Sequence, residues 1–117
     1  MKEIIAILRS SKAKASKQKL AEAGFVSCTE VRVSGRGKQG GLKYAGDGGN
    51  ENGTNRIAFL PKRMLQFVVS EEQSERVVQI LIETNKTGDV GDGKIFVCPI
   101  EDSVRIRTDE RGKEALV

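Results

Sequence analysis

The chain has 117 residues, 20 Lys/Arg against 16 Asp/Glu, and no histidine, a length that suits one domain with a small core. Without histidine a Ser-His-Asp or Cys-His mechanism is excluded and a transition-metal site is disfavoured, while oxygen ligation of magnesium stays open. No apolar run reaches the roughly 18 residues of a membrane span, and the run after Met1-Lys2-Glu3 is too short for a secretory signal. The expectation is a cytoplasmic protein with no membrane insertion.

In chain order, residues 2–9 are apolar and β-branched and read as a strand. Residues 11–23 carry Ala13, Leu20 and Ala23 at helical spacing, with Ser10 or Ser11 as cap and Gly24 as a left-handed stop. Residues 25–34 read as a second strand, alternating from Val31 onward. Eight of the thirteen glycines fall between Gly35 and Gly53, so residues 35–56 predict a long mobile loop. Residues 57–69 form a third strand. Ser70 with Gln73 reads as a capping box, and the helix after it shows Val77, Val78, Leu81 and Ile82 as one stripe. A glycine turn over 85–93 leads to a last strand over 94–100 and 103–107, interrupted at Pro99, and the charged tail from Asp109 is expected to be loose until bound. The separated cysteines, Cys28 and Cys98, lack CxxC spacing and read as buried thiols.

This order is β-α-β, long loop, β-α-β. Two split halves of that kind build an α+β ferredoxin-like βαββαβ sandwich, with both helices on one face of a four-stranded antiparallel sheet. The other face is left apolar and uncovered, and self-association is its simplest cover.

The charge is asymmetric. Residues 1–43 hold ten Lys/Arg against three acids, and residues 44–117 ten against thirteen. The basic part suits an anionic ligand or partner. Within the run Thr87-Gly88-Asp89-Val90-Gly91-Asp92-Gly93-Lys94, three glycines and a lysine precede an apolar strand. Glycines let backbone N–H groups approach an anion and Lys94 adds a point charge. Arg105 and Arg107, two apart, would share a face if they lay on a strand. Together these features read as a polyphosphate site.

Over residues 1–108 the chain resembles the PII signal-transduction proteins of nitrogen control. The resemblance rests on Ala21-Glu22-Ala23-Gly24, Gly37-Lys38-Gln39-Gly40-Gly41, Phe59-Leu60-Pro61-Lys62, the run Thr87 to Val97, and Arg105-Ile106-Arg107-Thr108. It implies a non-enzymatic, trimeric regulator spanning residues 1–117, with a target-docking T-loop over about 37–56 and a C-terminal tail over about 109–117. The implied effectors are ATP or ADP, Mg2+ and 2-oxoglutarate. Carried over by motif, the nucleotide residues are Ile7, Thr29, Lys38, Val68, Gly91, Asp92, Gly93 and Lys94, with Arg105 and Arg107 reaching in from a neighbouring subunit. Gln39 would contact magnesium and 2-oxoglutarate, and Lys62 would pair with a 2-oxoglutarate carboxylate.

The departures are specific. The family's arginine at the loop start is Lys38 here, and lysine cannot make the bidentate fork. Ser10 replaces the family's proline. The loop lacks the tyrosine run that carries uridylylation, and Tyr44 lies near the loop entrance. The divergent loop is similar to the nitrogenase-linked (NifI-type) branch, which implies nitrogenase as target and leaves open a homotrimer or a hetero-oligomer with a sister subunit. The alternatives are a PII protein acting on an ammonium transporter or a nitrogen-assimilation enzyme, and an RNA-binding ferredoxin-like module. Against the last, Phe67 and Phe96 do not form the required aromatic motif, so no nucleic-acid partner is expected.

Overall fold

The computed structural model describes residues 1–37 and 59–117. Its elements are β1 (Lys2–Arg9), α1 (Ala13–Glu22), β2 (Thr29–Gly35), β3 (Leu60–Val69), α2 (Glu71–Asn85) and β4 (Gly93–Pro99), with short 3-10 turns at Ser10–Lys12 and Gly112–Leu116. The four strands form one sheet in the order β2-β3-β1-β4, and every neighbouring pair is antiparallel. This is the expected ferredoxin-like arrangement.

Strand periodicity decides which side chains meet the helices. In β1, Ile4, Ala6 and Leu8 are buried while Ile5 and Ile7 on the other face are half-buried. Leu65, Phe67 and Val69 do the same in β3. Against them pack Leu20 of α1 and Val77, Ile80 and Leu81 of α2, closing one core. Burying each such side chain is worth about 1.5–3 kcal/mol. A buried polar tie joins the two helices. Asn85 Nδ2 donates to Ser16 Oγ at 2.8 Å and to Leu81 O at 2.9 Å, and Ser16 Oγ donates to Lys12 O at 2.9 Å.

The opposite face stays apolar and open. Val31 is 38% exposed, Val68 39% and Phe96 48%. Register fixes the rows on that face. Ile7 lies between Met64 and Lys94, Ile5 between Gln66 and Phe96, and Glu3 between Val68 and Cys98.

Gly24 ends α1 as expected, at φ +97°. Gly24 N–H reaches Ala21 O at 3.0 Å and Phe25 N–H reaches Leu20 O at 2.8 Å, a Schellman closure that sets Phe25 against the core. Other expectations are corrected. Neither Ser10 nor Ser11 caps α1, which is entered through the 3-10 turn. The Ser70–Gln73 box is altered: Ser70 Oγ donates to Gln73 Oε1 at 3.0 Å, while Gln73 N–H donates to Ser70 O at 3.1 Å. The second strand begins only at Thr29, which leaves Cys28 exposed and not buried, and Cys98 is only half-buried.

The largest correction concerns the end of the chain. Residues 103–107 are not a strand. Val104 makes an isolated bridge to Arg111, and Thr108 and Asp109 N–H both turn back to Arg105 O at 3.3 and 2.8 Å. The tail is not loose either. Arg111 pairs with Asp102 at 2.9 Å, and Ser103 Oγ donates to Gly112 O at 2.9 Å.

Candidate functional site

The glycine turn between α2 and β4 is tightly built. The Asp92 carboxylate accepts Thr87 N–H at 2.8 Å, Gly88 N–H at 2.9 Å and the Thr87 hydroxyl. These bonds to the charged form, the Thr87 hydroxyl foremost, hold the Asp92 pKa at about 2. Asp92 therefore staples the turn through its side chain.

Gly93 is required where it stands. Its φ is +115°, and a Cβ there would lie 2.1 Å from Ile7 O. The turn is thereby pressed against the end of β1 and passes directly into β4, with Lys94 beside Ile7 on the open face. A left-handed turn of this kind makes an anion-binding concavity from successive N–H groups.

Two cations converge on the turn from adjacent strands. Arg9 and Lys62 are direct partners across the β1–β3 ladder. Arg9 donates to Val90 O at 2.8 Å and to Thr87 Oγ1 at 3.4 Å, and its guanidinium lies 3.2 Å from Asp92 Oδ1. Lys62 Nζ donates to Gly91 O at 3.0 Å. Partial burial pushes the Lys62 pKa down, the Arg9 charge adds to this, and Asp92 opposes it. Beside them opens a hollow of about 300 Å³ lined by Arg9, Gly35, Arg36, Gly37, Lys62 and Gly91. Arg36 stacks over the Phe59 ring at 5.0 Å, which ties the two described ends flanking residues 38–58.

The structure brings together Gly91, Asp92, Gly93, Lys94, Lys62 and Ile7. Thr29 and Val68 share the open face with Ile7 but stand farther down the sheet: Thr29 is opposite Gln66, and Val68 is opposite Glu3. Lys38 and Gln39 lie outside the described residues, as does most of the expected T-loop.

Arg105 and Arg107 are not near the turn. Ile100 N–H bonds Met1 O, and Ser103 Oγ reaches Met1 Sδ at 3.4 Å, so this segment sits at the start of β1. Arg9 and the turn are at its other end, roughly 25 Å away by strand rise. Arg105 is held by Glu110 at 3.0 Å, by Glu114 O at 3.1 Å and by Val117 O, while Arg107 is exposed.

Arg9 and Arg36 border the candidate site without having been assigned to it from the sequence, and Thr87, read there only as the start of the run, braces the turn. Thr87 had a usable signal, a hydroxyl five residues ahead of an aspartate in a glycine turn. Arg9 had none, because its role depends on a cross-strand pairing.

The family model described as nitrogen regulatory protein P-II matches residues 1–110. The "Nitrogen fixation nifHD region GlnB-like protein 2" of Methanobacterium ivanovii is 47% identical over 124 aligned positions, covering 100% of both chains. Its namesake from Methanococcus maripaludis is 45% identical over 99% of this chain and 100% of its own. Among solved structures, Arabidopsis thaliana PII bound to citrate superposes with a TM-score of 0.77 at 30% identity, covering 98% of this chain and 88% of that one. The names of these archaeal relatives agree with the nitrogenase-linked resemblance seen in the loop. The chain belongs to the nitrogen regulatory protein P-II family.

Proposed function

We propose that the protein is a cytoplasmic, trimeric sensor that does no chemistry, binds ATP or ADP and Mg2+ together with 2-oxoglutarate, and controls nitrogenase through its T-loop. The observation that carries this is the convergence of Arg9 and Lys62 on the carbonyls of Val90 and Gly91. Two cations on one glycine turn, beside a hollow, suit a ligand set rich in phosphate and carboxylate oxygens. Lys94 and the turn N–H groups would take the phosphates, and Lys62 a carboxylate. The citrate in the Arabidopsis relative supports a carboxylate ligand. Gln39 offers the amide oxygen a magnesium ion accepts, and when bound that ion would bridge phosphate and oxo-acid oxygens.

Two features support oligomerisation. The apolar sheet face needs a cover, and Arg105 with Arg107 stands at the end of the sheet remote from its own turn. A neighbouring subunit's turn is the one these arginines would complete. Control of an ammonium transporter or of a nitrogen-assimilation enzyme is the second reading. The nifHD-region names of the archaeal relatives favour nitrogenase.

Calorimetry tests the sensing. Mg-ATP and 2-oxoglutarate should each raise affinity for the other by the same factor. Lys62→Ala should abolish 2-oxoglutarate binding and leave most ATP binding. Equal 2-oxoglutarate affinity with and without ATP would refute the scheme. Retention of nitrogenase on the immobilised protein, and its release by Mg-ATP plus 2-oxoglutarate, tests the target; retention of an ammonium transporter instead would select the second reading.

A further inference from the structure

On the helix side of the sheet, a second concentration of charge has no part in the turn site. The β2–β3 register sets Arg32 directly opposite Arg63. Arg63 is also the ladder partner of buried Leu8, so both arginines rise on the core side of the sheet. Like charges directly opposite on adjacent strands oppose sheet formation.

One carboxylate partly offsets them. Glu30 accepts from Lys17 at 2.8 Å and from Arg63 at 3.2 Å, and these contacts, Lys17 first, hold its pKa below the usual carboxylate range. Among the described residues that is one anion against three cations. Next to the arginine pair lies a hollow of about 350 Å³ lined by Ser10, Arg32, Ser34, Pro61, Lys62 and Arg63. Its lining includes two arginines and two serines, and guanidinium and hydroxyl donors are the set that a tetrahedral oxyanion uses.

We propose that this hollow is a second anion site, separate from the Thr87–Lys94 turn, and that it takes a small phosphate dianion. Arg32 supplies the bidentate contact. Arg63 keeps Glu30 and shares its remaining N–H groups, and Ser10 and Ser34 complete the oxygen contacts. Lys62 borders both hollows, so a dianion here favours the charged form of the lysine that serves the first site.

Inorganic phosphate is the probe. The full chain, labelled with nitrogen-15, is titrated at constant ionic strength, with chloride as the control anion. Saturable shifts are expected at Arg32 Nε–H and at the backbone amides of Ser34 and Arg63. Arg32→Gln should weaken phosphate about tenfold, the loss of a charge-assisted contact, with an unfolding midpoint that does not fall, since it also removes the repulsion from Arg63. Shifts that do not saturate, that chloride reproduces, that stay within residues 87–94, or that keep the same titration midpoint in Arg32→Gln would overturn the proposal. A protein that shows these shifts but binds no ATP would sink the nucleotide reading and leave this site standing.

Discussion

Two glycines of similar backbone geometry should respond very differently to alanine. Gly24 has φ +97° and nothing within 4 Å of where a Cβ would stand, whereas Gly93 has φ +115° and Ile7 O at 2.1 Å. Gly24→Ala therefore meets only the left-handed backbone penalty, about 1–2 kcal/mol. Gly93→Ala meets the same penalty and a contact with rigid backbone. Relief requires β4 to withdraw from β1 at the Leu8–Gly93 and Ile7–Lys94 pairs. Losing the ladder bonds there adds about 1 kcal/mol each, which brings the total to roughly 3–4 kcal/mol by those two terms. Urea unfolding at one fixed protein concentration measures both variants, and the midpoint of Gly93→Ala should fall about twice as far. Gly93→Ala should also lose nucleotide binding while Gly24→Ala keeps it. Equal midpoint shifts would refute the claim that the β1 contact dictates glycine at 93.

The Asp92 carboxyl, depressed to about 2 from an ordinary value of 3.8, contributes stability that is complete above the unfolded pKa and lost as pH falls through the folded one. Acid titration between about pH 4 and 2 should therefore loosen the turn, and Thr87→Val should raise the carboxyl pKa in carbon-13 NMR; an unmoved pKa would refute the hydroxyl's leading role. Removing the neighbouring charge with Arg9→Gln should raise the Lys62 pKa. In the native protein the unfolded chain holds that lysine proton more tightly, so stability rises with pH across the interval between the two pKa values, and the variant should narrow that rise. Ser16→Ala and Asn85→Ala should be coupled by about 1 kcal/mol in a double-mutant cycle, because each removes the same buried bond. Additive effects would show that the helices are not joined through it.

The layered fold was legible because one-sided burial writes itself into the strands: Ile4, Ala6 and Leu8 alternate with half-buried neighbours, and Leu65, Phe67 and Val69 do likewise. Gly24 was legible because its conformation is local. The end of the chain misled for the same reason. Val104 and Ile106 alternate with arginines as a strand would, yet Ile106 is 96% exposed and the segment closes into a turn. In the site, the glycines and Lys94 announced themselves as a motif. Arg9 did not, because what makes it matter is a ladder partner 53 positions away, Lys62, and a loop it meets only after β1 and β4 pair.

On the proposed sensing role, the contacts at Val90 and Gly91 would make the turn a place of exchange. Lys62 is already bonded to Gly91 O, and Arg9 to Val90 O and Asp92. If the turn takes an anion as proposed, any of these internal bonds that the anion displaces would subtract from its affinity. A ligand with a single weak charge gains little from such a swap. A multiply charged ligand that recruited both cations would gain from each. On the proposed sensing role, discrimination by charge count would come from this competition, and any carbonyl released would mark that the exchange has taken place.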